Sequence, residues 1–123
     1  MLVETQLSNE LERFLDLSTR EIQLTSANMA NIDTPGYRAV GMDFEAEMRR
    51  FLAASEDGAP PSDVGCPQVF DVDGLIVRPD GNNVSMDRES LNLAGAQLKF
   101  KTGVALWKQE NAMLMDAIHA DTR

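Results

Sequence analysis

The chain has 123 residues, 43% of them apolar, which suits one small packed unit rather than two domains. Its formal charge of −9 repels phosphate backbones and anionic lipid heads, so nucleic acid is excluded as a partner. One cysteine, Cys66, excludes an internal disulfide, and the single histidine, His119, lies near the C-terminus, where neither a His-based metal cluster nor a Ser-His-Asp triad around a folded pocket is expected.

The first residues, Met1-Leu2-Val3-Glu4-Thr5-Gln6, lack a basic start followed by an apolar run, so no secretory signal peptide is expected there. No stretch approaches the roughly 20 apolar residues of a membrane span, so no direct span is expected. From about Glu4 to Asn31, Leu7, Leu11, Phe14, Ser18, Ile22, Thr25 and Met29 recur every three or four residues, which predicts a long helix. Leu15, Leu17 and Leu24 widen the apolar surface beyond that seam, so the helix has more than one neighbour. Pro35 stops it near Ile32, and Pro35-Gly36 suits the centre of a type II turn. Asn28 and Asn31 share one face at the helix end, where their amides can satisfy the last carbonyls or the following turn.

A short helix is predicted from Asp43, a natural N-cap, to Ala54, with Phe44, Met48, Phe51 and Leu52 on one face. From Ser55 to Val84, Gly58, Pro60, Pro61, Gly65, Pro67, Gly74, Pro79 and Gly81 break any long helix. Leu75-Ile76-Val77 reads as a short strand, and Asp80-Gly81 as a tight turn.

The last helix is predicted from Ser85 or Asp87 to about Ala120. Leu93, Gln97, Phe100, Val104, Trp107, Asn111, Leu114 and Ile118 alternate spacings of four and three, the 3.5-residue period of a coiled-coil seam. Asn111 either fixes register in that seam or marks a helix end facing water. Leu91, Leu98, Ala105 and Ala112 form a second, flatter stripe. Gly95 and Gly103, each costing about 1 kcal/mol relative to Ala, either admit close approach of another helix or are merely tolerated.

The expected fold is mainly α. Two long terminal amphipathic helices pair as a coiled coil, with a short helix and a small irregular, slightly β central segment between them. Residues 1–123 form a single unit, divided as 4–32, 33–84 and 85–120.

No chemistry emerges from this plan. Asp71-Val72-Asp73-Gly74 begins like a calcium loop but lacks the third ligand position before the Gly and the closing Glu. No Gly-rich phosphate loop occurs, and the carboxylates mark no acid–base pair. No catalytic, cofactor-binding or metal-ligating residue is expected, so the chain reads as a non-enzyme.

The run Ser26-Ala27-Asn28-Met29-Ala30-Asn31-Ile32-Asp33-Thr34-Pro35-Gly36-Tyr37 is similar to the N-terminal signature of bacterial flagellar rod and hook proteins. Asn28, Asn31, Thr34, Pro35, Gly36 and Tyr37 match it. Arg78-Pro79-Asp80-Gly81-Asn82-Asn83-Val84, followed by Asp87-Arg88-Glu89, resembles the segment leading into the C-terminal helix of FlgB-type proximal rod proteins, and Met42-Asp43-Phe44 fits the same branch. The resemblance covers roughly residues 4–54 and 75–118, with none in 55–74. Trp107-Lys108-Gln109-Glu110-Asn111 departs from it by being more polar.

The resemblance implies an axial structural subunit in the periplasmic space, exported by the flagellar type III apparatus without a cleaved signal. Its implied partners are copies of itself, other flagellar rod proteins, the basal-body adaptor and the membrane ring. Leu7, Leu11, Phe14, Ile22, Leu93, Phe100, Val104, Trp107, Leu114 and Ile118 would then pack between subunits. Asn28, Asn31, Pro35, Gly36 and Tyr37 would set the chain direction leaving the first helix. A small acidic helical adaptor or secretion chaperone is the alternative reading.

Overall fold

The computed structural model describes residues 4–122; residues 1–3 and 123 of the expected unit lie outside the described residues. Helix α1 spans Gln6–Ala30, β1 Val40–Gly41, α2 Phe44–Glu56, β2 Phe70–Asp71 and α3 Met86–Asp121, with a 3-10 turn at Pro61–Val64. The molecule is thus mainly helical, with a long helix at either end.

Each α-helix starts where a short polar side chain takes up a free N–H. Thr5 accepts from Ser8 N–H at 3.0 Å, and Asp43 accepts from Ala46 N–H at 3.0 Å. Ser85 does the same for Arg88 N–H at 3.4 Å, and Asp87 and Glu89 place negative charge at that helix's positive end. After α1 the chain turns at Pro35-Gly36: Tyr37 N–H donates to the Thr34 carbonyl at 3.2 Å, and Gly36 has φ +75°. That combination is the expected type II turn, whose third residue needs the left-handed region.

The strands pair antiparallel with Val40 opposite Asp71 and Gly41 opposite Phe70. This corrects the strand expected at Leu75-Ile76-Val77, which is irregular, with Ile76 91% exposed. The short sheet forms instead where long-range partners exist. Val72 N–H reaches the Ala39 carbonyl at 2.9 Å, which holds β2 beside β1. The turn expected at Asp80-Gly81 is centred one residue earlier, with Gly81 N–H donating to the Arg78 carbonyl at 2.9 Å. Pro79 and Asp80 then occupy the central positions, and Gly81 takes the last, for which it is favoured.

Helix α1 is the hub, in contact with α3 along one side and with α2 and β1 on others. This accounts for the core: Leu11, Leu17 and Leu24 of α1 are buried together with Ala39, Phe51, Val64, Val84 and Ala96. Leu17 and Leu24, which lie outside the predicted seam, are core residues because α1 has three neighbours inside this chain. The α1–α2 contact is closed by Phe14 and Phe44, edge to face at 5.1 Å. Lys99 ties α3 to both, with its ammonium 3.1 Å from Glu21 and 4.2 Å from the Phe44 ring centre.

Helix α3 does not bury its apolar seam. The column turned inward is Glu89, Ala96, Gly103 and Glu110, a strict heptad of small and hydrogen-bonded residues. A Cβ at Gly103 would meet Leu15 Cδ2 at 2.8 Å and Phe14 Cδ1 at 3.0 Å, so the two helices touch where α3 has no side chain. Small residues allow that approach, and the seam is rotated partly toward solvent as a consequence.

Candidate functional site

The two signature segments, about fifty residues apart in sequence, interlock. Asn28 is buried at the end of α1. Its Nδ2 donates to the Val40 carbonyl at 2.8 Å and to Glu89 Oε2 at 3.1 Å. Its Oδ1 accepts from Val40 N–H at 3.0 Å and from the Tyr37 hydroxyl at 3.1 Å. The amide thus reads both backbone groups of Val40, as a neighbouring strand would, and ties α1 to β1 and α3. The sequence placed Asn28 and Asn31 alike at the helix stop. Only Asn31 acts there, its Nδ2 donating to the Ala27 carbonyl at 2.8 Å and its Oδ1 accepting from the Thr34 hydroxyl at 3.1 Å.

The second segment completes the turn. Asn82 is fully buried, and its Nδ2 lies 2.9, 3.0 and 2.9 Å from the carbonyls of Asn31, Ile32 and Thr34. Its own shape is fixed by Asp80, which accepts from Asn82 N–H, and by Val84 N–H, which donates to Asn82 Oδ1. Arg78 also donates to the Ile32 carbonyl. Asn83 Oδ1 accepts from Ala39 N–H at 2.6 Å. Gly36 N–H donates to the Asp80 carbonyl at 2.9 Å, and a Cβ on Gly81 would sit 3.3 Å from Gly36 Cα, so two glycines let the turns touch backbone to backbone. Thr34 and Pro35 lie at the exposed rim, and Pro79 takes the first central position of the facing turn.

Glu89 is 1% exposed and bonded to Arg88 Nη1 at 3.0 Å as well as to Asn28. Burial and the Glu89 charge push the Tyr37 phenol above its ordinary range, so it remains a proton donor to Asn28. Composition and periodicity did not single out Glu89. Its signals were its place in the first turn of the last helix, where negative charge is favoured, and in Asp87-Arg88-Glu89.

A second polar clamp was also missed. Glu47 of α2 is 6% exposed and accepts from Arg50 Nη2 at 2.6 Å and from Gln68 N–H at 3.0 Å, with Arg13 of α1 at 3.6 Å. Burial raises its pKa, but the Arg50 and Gln68 hydrogen bonds and the two guanidinium charges outweigh it, and the net shift is downward. Arg50 also donates to the Val64 carbonyl at 2.6 Å and Arg13 to that of Gly65 at 3.2 Å, which fastens the central loop to α1 and α2.

The expected packing residues are divided. Leu11 is buried, while Phe14, Ile22, Leu93, Val104 and Leu114 are half-buried. Leu7, Phe100, Trp107 and Ile118 are exposed at 52, 38, 44 and 44%. The geometry holds backbone in a fixed shape and leaves apolar helix faces open. Among the described residues no group of three or more His, Cys, Asp or Glu is placed to hold a metal ion.

No protein-family model matches the chain. It is similar to the flagellar basal body rod protein FlgB of Yersinia enterocolitica, 34% identical over 110 residues that cover 75% of this chain and 78% of the relative. The chain belongs to the FlgB family. The FlgB of Cereibacter sphaeroides is 32% identical over 126 residues, covering 94% of this chain and 95% of the relative. That of Salmonella typhimurium is 29% identical over 119 residues, covering 85% and 86%. As a FlgB-family member the chain is a component of the flagellar basal-body rod, a structural protein and not an enzyme. No helix of the described residues is long and apolar enough to cross a membrane.

Proposed function

We propose that the chain acts as a single rod-subunit unit that assembles by packing of its terminal helices into the axial drive-shaft tube and so supports motility. Its neighbours are copies of itself, other rod proteins, and the adaptor and membrane ring at the rod base. It reaches the periplasmic space through the flagellar type III apparatus.

The observation that carries this reading is the apolar surface left open on the two helices. Leu7 is 52% exposed, Leu91 74%, Leu98 67%, Leu106 47% and Met113 64%. Each, already half-covered at best, contributes on the order of 1 kcal/mol when a neighbour completes its burial. A monomer gains nothing from that surface, whereas a subunit surrounded by others does. Deletion of the gene should abolish swimming, its return in trans should restore it, and the protein should pellet with purified basal bodies. Normal swimming without the gene would contradict the proposal.

A further inference from the structure

We infer that the groove between α1 and α3 near the start of α1 receives the outer stripe of α3 from a second copy of the chain, with a lysine of that copy reaching Glu110. The inference rests on the rod-subunit reading and names the partner and the contact.

The groove has a volume of about 250 Å³ and is walled by Leu7, Leu11, Leu106, Met113 and Glu110. It continues into a second hollow of about 180 Å³ that shares Leu7, Leu11 and Leu106 and adds Glu10 and Met48. Glu110 is unusual among these residues. It is 8% exposed, and its Oε1 accepts from the hydroxyls of Thr5 and Ser8. Its Oε2 is buried with no hydrogen-bond partner among the described residues. A buried carboxylate oxygen without a donor is costly, and a cation or N–H from outside would satisfy it. An occupant that brings both apolar surface and a cationic donor fits this groove.

One surface of the same chain has that composition. Leu91, Leu98, Lys101, Ala105 and Lys108 follow one another at helical spacing, and all are exposed. Leu91, Leu98 and Ala105 lie two positions after Glu89, Ala96 and Gly103 of the buried column, and Lys101 and Lys108 two positions before Gly103 and Glu110, about 160–200° around the helix, so they face away from α1. Neither Lys101 nor Lys108 forms an ion pair among the described residues, whereas Lys99 is held by Glu21. On a chain of net charge −9, this stripe sets positive charge beside apolar surface, and the groove sets two carboxylates beside apolar surface. Leu98 and Lys101 are one turn apart, as are Leu106 and Glu110, so a leucine in the groove places a lysine at the carboxylate.

Stripe and groove occupy different faces. A contact between them is heterologous, leaves one stripe and one groove free at the ends of any pair, and extends into a ring or helical array. A rod requires that property, and a closed dimer lacks it.

The test uses the full chain in the bacterium that encodes it, with Cys66→Ser as the parent. Basal bodies are purified from cells making Leu98→Cys alone, Met113→Cys alone, or both in one chain, and are mildly oxidised. Both positions are exposed, so folding is spared. The double variant is expected to give a ladder of disulfide-linked species beyond the dimer, and each single variant none. A cross-link in either single variant, dimers alone from the double variant, or no cross-link although the protein is present in the basal bodies would overturn the inference while leaving the rod reading intact. Absence of the wild-type chain from basal bodies would overturn that reading and this inference with it. As a second measure, Lys101→Glu should lower the amount recovered in basal bodies roughly tenfold with an unchanged melting temperature. An unchanged amount would count against the contact.

Discussion

Asn82 shows how much of this molecule's shape depends on single polar side chains. One amide nitrogen serves the carbonyls of Asn31, Ile32 and Thr34, all in the turn that follows α1. Asn82→Ala takes one hydrogen bond from each of those carbonyls, which keep their bonds from Thr34 N–H, Arg78 and Tyr37 N–H, and it leaves the buried Val84 N–H without its acceptor. Chemical denaturation should show a loss of at least about 2 kcal/mol, larger than for an exposed asparagine such as Asn92. Glu47 gives a prediction with a pH signature. Its folded-state pKa is lowered, so its contribution to stability is present above the unfolded carboxylate pKa and is lost as pH falls through the folded one. Glu47→Gln should therefore cost about 1.5–3 kcal/mol at neutral pH, and the difference from wild type should shrink in acid. Equal differences at pH 7 and pH 3 in a denaturation series would show that the carboxylate charge contributes nothing.

At the scale of elements, helix positions were legible because their signals are local. Asp43 caps, Pro35 stops, and the Gly/Pro-rich stretch after Ser55 excludes a long helix, whereas the caps at Thr5 and Ser85 are identified by the structure. The inward face of α3 was not legible from apolar periodicity. Glu89 and Glu110 are buried because partners 61 and 102 or more residues away bond them, and Gly103 because Phe14 and Leu15 close over it. A count of apolar residues instead selects Phe100, Trp107 and Ile118, which are exposed. The strand at Phe70–Asp71 was hidden for a similar reason: two residues carry no period, and its bonds come from Ala39 and β1. The signature residues Asn28 and Asn82 were found by resemblance, yet the way they interlock is visible only in three dimensions. Gly103 offers the test at this scale. Gly103→Val puts a branched side chain where even a Cβ lies 2.8 Å from Leu15, and thermal unfolding should show a loss of about 1–3 kcal/mol. Gly95, with nothing within 4 Å of a built Cβ, should accept Ala with a gain of up to about 1 kcal/mol.

Over the whole molecule, the polar interlock and the open apolar helix faces divide the work. Around residues 28–40 and 78–89, buried hydrogen bonds fix the chain path. Towards the other end α3 passes Thr5, and Met115 and Ile118 are 52 and 44% exposed. Such a segment has little burial to offset an ordering cost of roughly 1–2 kcal/mol per residue until neighbours cover it. The central claim is that assembly covers these helix faces, and amide hydrogen exchange tests it most directly. In the free monomer, residues 89–103 should be protected and residues 113–121 should exchange fast; in purified basal bodies both should exchange slowly. Strong, equal protection of residues 113–121 in the monomer and in the rod would contradict the account.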